Sequence, residues 1–418
     1  MWIAGLLAFT YLCLYFLVRR LTYKSSPASI YFLIWTIVLF LYSLRLVRYE
    51  DINVVQYNLI FGSGFAFFLG SILGRFSFSS KFEVNKKNRP FCIDNNRLLK
   101  WIIGLNLLAI VGFIAFLIKL CDGFSLFYLL QHLNIANWRI ENLNEGITGY
   151  LRMLVVPALD LCEIAFLESK RRVLILFFII DFLILFSSTR RTLAFFAILS
   201  FVFIYYYWYL RKEKVSFKMT KQNAKLFAFG SILAFGLVMY FNYIQIALKK
   251  SISYNSQYFT IRLPIWANNI LTYATASIAA IPAFLRERFA SDVPFGYSLR
   301  PIYVMLNNFF PSSVPVPYFA REFVRVPVTT NVLPYFMYWY FDFGFIYMLM
   351  IVFLMAFLSE RFFAKFLNTS SPFLLVISSF FSSGFLLSIR QNIFLTIYFW
   401  YFVIIIYVVF RTTFRYVE

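Results

Sequence analysis

Long apolar runs separated by short polar links dominate the chain. They fall at about 2–18, 29–47, 53–74, 101–120, 149–168, 173–188, 192–210, 224–243, 336–358, 372–388 and 392–410. Their lengths approach or reach the roughly 17–25 residues with which a helix crosses about 30 Å of hydrocarbon. A membrane barrel would instead alternate apolar and polar positions in segments of about 10 residues, and these runs do not alternate. The pattern predicts an all-α polytopic membrane protein of about eleven transmembrane helices, between roughly ten and twelve. Eight of them fall within 1–243 and three within 336–418, with one large loop of short helices, 244–335, capping the bundle. Seven prolines, Pro294, Pro301, Pro311, Pro315, Pro317, Pro327 and Pro334, break that loop into short elements. Its most apolar stretch, IWANNILTYATASIAAIPA at 265–283, is interrupted by Asn268, Asn269, Thr272, Thr275 and Ser277. The expectation there is an amphipathic helix lying on the membrane surface or capping the bundle.

Composition agrees with the pattern. The 418 residues are 61% hydrophobic and 14% charged, whereas a soluble domain is nearer half apolar and a quarter charged. A net charge of +21 invites a nucleic-acid reading, but membrane proteins collect Lys and Arg in cytoplasmic loops. The links after odd-numbered spans are all basic: Arg19, Arg20 and Lys24; Arg75 to Lys100; Lys170 to Arg172; Arg211 to Lys225; Arg361 and Lys365; Arg411 and Arg415. They are therefore expected in the cytoplasm, with the N-terminus outside, the C-terminus inside and no nucleic-acid partner. Met1 to Val18 lacks the basic start and small-residue cleavage site of a signal peptide. The spacing of Cys13, Cys92, Cys121 and Cys162 matches no metal site and suggests no disulfide.

Topology leaves a second set of cations unexplained. The cytoplasmic links hold twelve Lys and eleven Arg, whereas the external side holds three Lys and thirteen Arg. Arginine is favoured where a planar fork grips carboxylate or phosphate oxygens in two places. In LILFSSTRRTLAFF, residues 183–196, Arg190 and Arg191 cap a tight external hairpin; Arg390 does the same in LLSIRQNIF. Charges so close to hydrocarbon default to a functional role, and the competing reading is that they snorkel to headgroup phosphates. Arg262, Arg286, Arg288 and Arg300 add to the external face, which reads as a site for an anionic, lipid-linked ligand. Tyr258, Tyr297 and other aromatics of the large loop fit either a membrane interface belt or a platform for sugars.

Other chemistry is sparse. His132 is the only histidine and reads as a helix-surface residue; alone it makes no zinc site. Glu50 and Asp51 either act as a base, hold a divalent ion or, the favoured reading, neutralise Arg45 and Arg48. Asp160 and Glu163 are expected near the cytoplasmic end of their span, paired with Lys170–Arg172. No nucleotide-binding loop is present, and the reading calls for no cofactor and no metal.

The segment PFGYSLRPIYVMLNN at 294–308, then "TN" ahead of YFMYWYFDFGFIYM with its "DFG" entering a span that ends in a basic turn, resembles the bacterial O-antigen polymerase (Wzy) family. The "SSTRRTL" hairpin is similar to that family's small-residue–arginine turn, and the span plan with a late large loop also fits. The outside N-terminus departs from the family's usual plan. The resemblance implies a glycosyltransferase-type polymerase of the inner membrane with its site facing the periplasm. It would join undecaprenyl-diphosphate-linked oligosaccharide units into surface polysaccharide, with membrane lipid and a chain-length regulator as partners. Arg190 carries over as the turn arginine. Arg191 and Arg390 join it on charge and topology, as stabilisers of the departing diphosphate. Asp342 of the DFG, Glu50 and Asp51 are the candidate bases. Two other readings stand beside it. One is an O-antigen ligase, disfavoured because 244–335 has no histidine; the other is a flippase for the same lipid, disfavoured because no internal repeat is visible.

Overall fold

The computed structural model describes residues 2–77, 91–132, 135–136, 139, 146–187, 191–213, 236, 239, 258–260, 263–286, 293–310, 324–326, 328–330, 332–369 and 371–416. The chain divides into two units, one of residues 1–86, 252–370 and 380–400, the other of 87–251, 371–379 and 401–418.

Unit 1 begins with α1 (Trp2–Leu21), α2 (Pro27–Ser43) and α3 (Val54–Phe76). Local chemistry sets their starts. Ser26 accepts the Ser29 N–H and Pro27 presets the first turn of α2. Asn53 and Gln56 form a reciprocal capping box on α3.

The same unit holds α10 (Ile265–Arg286), α11 (Arg300–Phe309), the strand pair β2 (Val324–Val326) and β3 (Val328–Thr330), and α12 (Met337–Thr369). Helices α3 and α12 form its most extensive helix pair. Gly70 and Gly74 lie so close to the Phe353 and Phe357 carbonyls that an added Cβ would overlap them. Two glycines four apart are what close backbone approach needs where hydrocarbon offers no driving force between helices. Between these helices lies a cavity of about 1050 Å³ lined by Asn58, Gly62, Tyr340, Phe345 and other, mostly apolar, side chains.

The core is aromatic. Tyr31 stacks on Phe67 at 3.8 Å, and Phe385 meets Phe67 edge-on at 4.8 Å. Glu360, buried in α12, accepts the Ala28 N–H at 2.9 Å, placing a carboxylate on the N-terminus of α2.

Unit 2 contains β1 (Phe91–Ile93), α4 (Asn95–Leu120), α5 (Leu126–Gln131), α6 (Gly146–Met153), α7 (Val155–Ser169), α8 (Val173–Ser187) and α9 (Arg191–Glu213). Helices α13 (Pro372–Leu387) and α14 (Ile397–Thr413) contribute segments to both units, and β4 (Phe414–Tyr416) pairs antiparallel with β1. Helix α4 packs on α6 and α7, and α7 on α8 and α9. Gly112 of α4 sits against the backbone of Leu151 and Arg152, and the Arg152 guanidinium lies 3.9 Å over the Phe116 ring.

Among the described residues α1, α3, α4, α9 and α12 are long and apolar enough to cross a membrane, and α2, α8, α13 and α14 are apolar but shorter. The chain is thus an all-α protein of membrane-spanning character. The count of eleven is finer than this, and the run at 224–243 lies outside the described residues apart from 236 and 239.

Four expectations change in detail. The run 149–168 is two helices broken at Leu154, because Pro157 lacks an N–H and its ring crowds the carbonyl four residues back. The run 336–358 continues to Thr369 and is broken internally at Phe343–Gly344. The last run starts as a short 3₁₀ turn, Ile393–Leu395, before α14. Asp160 and Glu163 do not turn to Lys170–Arg172: they are buried, while those three basic residues are exposed.

Candidate functional site

The site is built at the end of unit 1 where the α2–α3 loop lies. That loop is fastened to residues 258–260: Val47 bridges Phe259, the Arg48 N–H donates to the Tyr258 carbonyl at 3.0 Å, and the Thr260 N–H donates to the Leu46 carbonyl at 3.1 Å. Val47, Phe259 and Leu271 form a small apolar cluster that seats α10 against the loop. Arg45 and Asp51 pair, as the neutralising reading of the Glu50–Asp51 loop requires.

Helix α10 is amphipathic with its polar face inward. Asn268, Asn269, Thr272, Thr275 and Ser277 are buried, while Ile265, Trp266 and Ile270 are exposed. The polar side of α10 is thus turned toward the rest of unit 1. Thr275 donates to Tyr49 Oη at 3.0 Å, and Gln56 of α3 donates to the Ile278 carbonyl at 3.0 Å. Asn268 Oδ1 and Ser277 Oγ are buried with no hydrogen-bond partner among the described residues. Such orphans are rare, and an unseen water or ligand atom is a common explanation.

Arg390 comes to this face from the turn after α13. Its guanidinium carbon lies 4.5 Å over the Tyr273 ring of α10, and the side chain is half-buried. The turn is held from both sides. The Tyr335 N–H donates to the Ser388 carbonyl at 2.9 Å, Asn392 Nδ2 donates to the Tyr335 carbonyl at 2.9 Å, and Trp35 Nε1 donates to Ser388 Oγ at 3.0 Å. A rotamer-rich side chain is thereby presented from a rigid base, with a ring plane setting its orientation.

The DFG segment is a helix break. Gly344 has φ 79° and ψ −162°, a region open essentially to glycine alone, which explains the residue. Asp342, two residues before it, accepts the Tyr297 N–H at 2.9 Å, the Ser298 N–H at 2.8 Å and the Ser298 hydroxyl at 2.6 Å. Tyr347 donates to the same Ser298 Oγ at 3.0 Å. The carboxylate latches the 293–299 turn to the start of α12, and Tyr297 is buried there, its ring 5.8 Å from Tyr338.

The remaining sequence candidates scatter. Arg300 opens α11, half-buried and acting electrostatically on Tyr338. Arg286 closes α10 and is exposed. Tyr258 Oη accepts from Arg325 Nη2 at 2.6 Å. Arg191 opens α9, its side chain outside the described part, and Arg190, Arg262 and Arg288 lie outside the described residues. His132 is exposed at the end of α5, stacked on Tyr128 at 4.2 Å, as a helix-surface histidine should be.

What sequence reasoning missed was the buried polar row of α10 and the turn residues Ser388 and Asn392. The five polar interruptions of 265–283 were the available signal, and they marked an inward face. No protein family, curated protein or solved structure matches this chain.

Proposed function

We propose that this protein polymerises lipid-linked oligosaccharide units at the periplasmic face of a bacterial inner membrane. A hydroxyl of the incoming unit attacks the anomeric carbon of the growing chain. The bond from that carbon to the diphosphate breaks, undecaprenyl diphosphate departs, and the hydroxyl proton passes to a base. The observation that carries this reading is Arg390, fixed over Tyr273 on a turn pinned at Ser388 and Asn392 beside the polar face of α10. A preorganised guanidinium stabilises charge developing on a leaving diphosphate without reorganising during the reaction. The polar row of α10 and Tyr273 suit a glycan, which needs hydrogen-bonding groups and a ring platform.

In this reading Asp342 is a positioning residue, since three donors already occupy its carboxylate. Asp51 is engaged by Arg45. Glu50, exposed in the same loop and in no ion pair among the described residues, is the carboxylate that takes the proton. Arg190 and Arg191 retain the role of stabilising the departing diphosphate, and the loop arginines Arg262, Arg286, Arg288 and Arg300 that of binding the substrate.

The test is purified protein incubated with undecaprenyl-diphosphate-linked repeat units, with product length read on a gel. A ladder of lengthened units is expected. Transfer to a lipid A core with no lengthening would mean a ligase, and movement across vesicles with no lengthening a flippase.

A further inference from the structure

Helices α3 and α12 run parallel and in one register: Gly62 faces Phe345, Gly70 faces Phe353 and Gly74 faces Phe357, with the same offset each time. The contact changes along that register. At Gly70 and Gly74 an added Cβ would overlap the backbone of α12. At Gly62 it would meet only side-chain atoms, Phe345 Cζ at 2.8 Å and Leu349 Cδ2 at 3.3 Å. The two backbones therefore touch at one end of the pair and part toward their N-termini. The wedge between them is the cavity of about 1050 Å³, just above the roughly 300–1,000 Å³ of small-molecule sites.

The wedge is graded in polarity. Asn58 and Tyr340 are the polar side chains that line it, and both lie near the starts of their helices, Val54 and Met337. Phe61, Phe65, Phe345 and Phe353 line the stretch toward Gly70. On α3 the lining runs from Asn58 to Leu69, about 16 Å at 1.5 Å per residue. Phe65, Leu69, Met350 and Leu354 of its wall are exposed, on helices long and apolar enough to cross a membrane. The wedge thus opens sideways to hydrocarbon, and its shape suits an apolar chain with a polar head at the N-terminal end.

Both walls are bonded at that end to the elements that hold Arg390. Gln56, two residues before Asn58, donates to the Ile278 carbonyl of α10 at 3.0 Å, and Tyr273 of the same helix lies under Arg390. Tyr335, five residues before Tyr340, is bonded through its N–H to the Ser388 carbonyl and through its carbonyl to Asn392. A phospholipid acyl chain is the competing occupant. Attachment of the mouth to the Arg390 turn favours instead the chain whose head group that turn receives.

We infer that the groove between α3 and α12 holds the polyprenyl chain of the lipid-linked substrate, with the diphosphate end of the carrier at Asn58 and Tyr340. This rests on the polymerase reading.

The test is photocrosslinking of the full chain in phospholipid nanodiscs, using an undecaprenyl-diphosphate-linked unit with a diazirine in its polyprenyl chain. Adducts are expected within 55–69 and 345–354, displaced by unlabelled undecaprenyl diphosphate and not by excess phosphatidylglycerol. Adducts spread evenly over the spanning helices, or displaced equally by phosphatidylglycerol, would overturn the inference. Kinetics give a second readout. Gly62→Leu fills the wedge and should raise KM for the undecaprenyl carrier about tenfold, the loss of contact with about two methylene groups. Its KM for a geranyl carrier, too short to fill the groove, should not change. An equal rise for both would also overturn the inference. Groove adducts from a wild-type protein that makes no ladder would sink the polymerase reading and keep the lipid site. A ladder with adducts elsewhere would do the opposite. If Gly62→Leu does not fold, the wild-type adducts decide.

Discussion

Glu360 in unit 1 and Glu163 in unit 2 are the same side chain, and both are fully withdrawn from solvent. Glu360 accepts the Ala28 N–H through Oε1 and sits on a helix N-terminus, its Oε2 having no partner among the described residues, whereas Glu163 has only the backbone of Tyr205 acting on it as a donor. The contrast extends to their neighbours. In unit 1, Asp342 takes three donors and Arg390 rests on a ring above a pinned turn. In unit 2, Asp160 has the Ser200 hydroxyl as its one donor and Asp181 has at most the Asn106 amide. A buried polar group that is satisfied specifies a structure, and one that is not stores a cost that packing alone would have removed. The first kind is suited to holding catalytic groups still. The second kind carries a desolvation cost that a substitution can relieve.

The largest test of this contrast is Arg390→Ala. It should leave the protein folded in the membrane and reduce the rate of chain lengthening by about 100–1000-fold, equivalent to roughly 3–4 kcal/mol. Arg390→Lys should recover only part, because it keeps the charge but loses the planar fork. Normal long chains from Arg390→Ala would remove this residue from the mechanism.

Next come the carboxyls themselves. Glu360→Leu strands the Ala28 N–H and should cost about 1–3 kcal/mol. Asp181→Leu should leave stability unchanged or raise it, since it removes a strongly desolvated group held only by the Asn106 amide. Thermal midpoints in one detergent, measured side by side, would erase the distinction between the units if both variants fell equally.

Glycines sharpen the comparison at a smaller scale. Gly70→Leu forces α3 from the Phe353 carbonyl and should cost about 1–3 kcal/mol through overpacking. Gly104→Ala in α4 meets no atom within 4 Å and should be silent in the same assay. The smallest effect belongs to Arg45→Ala. Its ion pair with Asp51 is about half exposed on both sides, so the loss should stay below about 1 kcal/mol and shrink further in high salt.

Much of the fold was legible in the sequence because hydrocarbon imposes a one-dimensional rule. A backbone without water must satisfy itself, so apolar runs of sufficient length become helices whatever surrounds them. The runs at 2–18, 53–74 and 101–120 coincide with α1, α3 and α4 for this reason, with ends shifted by a few residues where Asn53 or Asp94 supplies a cap. Proline chemistry was legible too, but its consequence at Pro157 was not drawn from the run 149–168, and the break at Leu154 follows from it.

The site was legible only in part. Charge alone singled out Arg390, and the DFG drew notice to Asp342. Neither the ring beneath the one nor the three donors around the other is adjacent in sequence: Tyr273 is more than a hundred residues from Arg390, and Ser298 lies 44 from Asp342. The polar residues of 265–283 announced an amphipathic helix but not which side faced inward, because a helical period gives the stripe and not its partner.

The sequence by itself determined that this chain is helical, membrane-spanning in character and rich in arginine at a few tight turns. Those properties depend on local length, composition and backbone hydrogen bonding. Only the tertiary structure decided which carboxyls find backbone donors: Glu360 and Asp342 meet N–H groups brought from distant segments, while Asp160 and Asp181 have side-chain neighbours, Ser200 and Asn106, and act on one another. Satisfaction of a buried group is a matter of a few ångströms between residues far apart in the chain, and no pattern along a single strand of text encodes that distance.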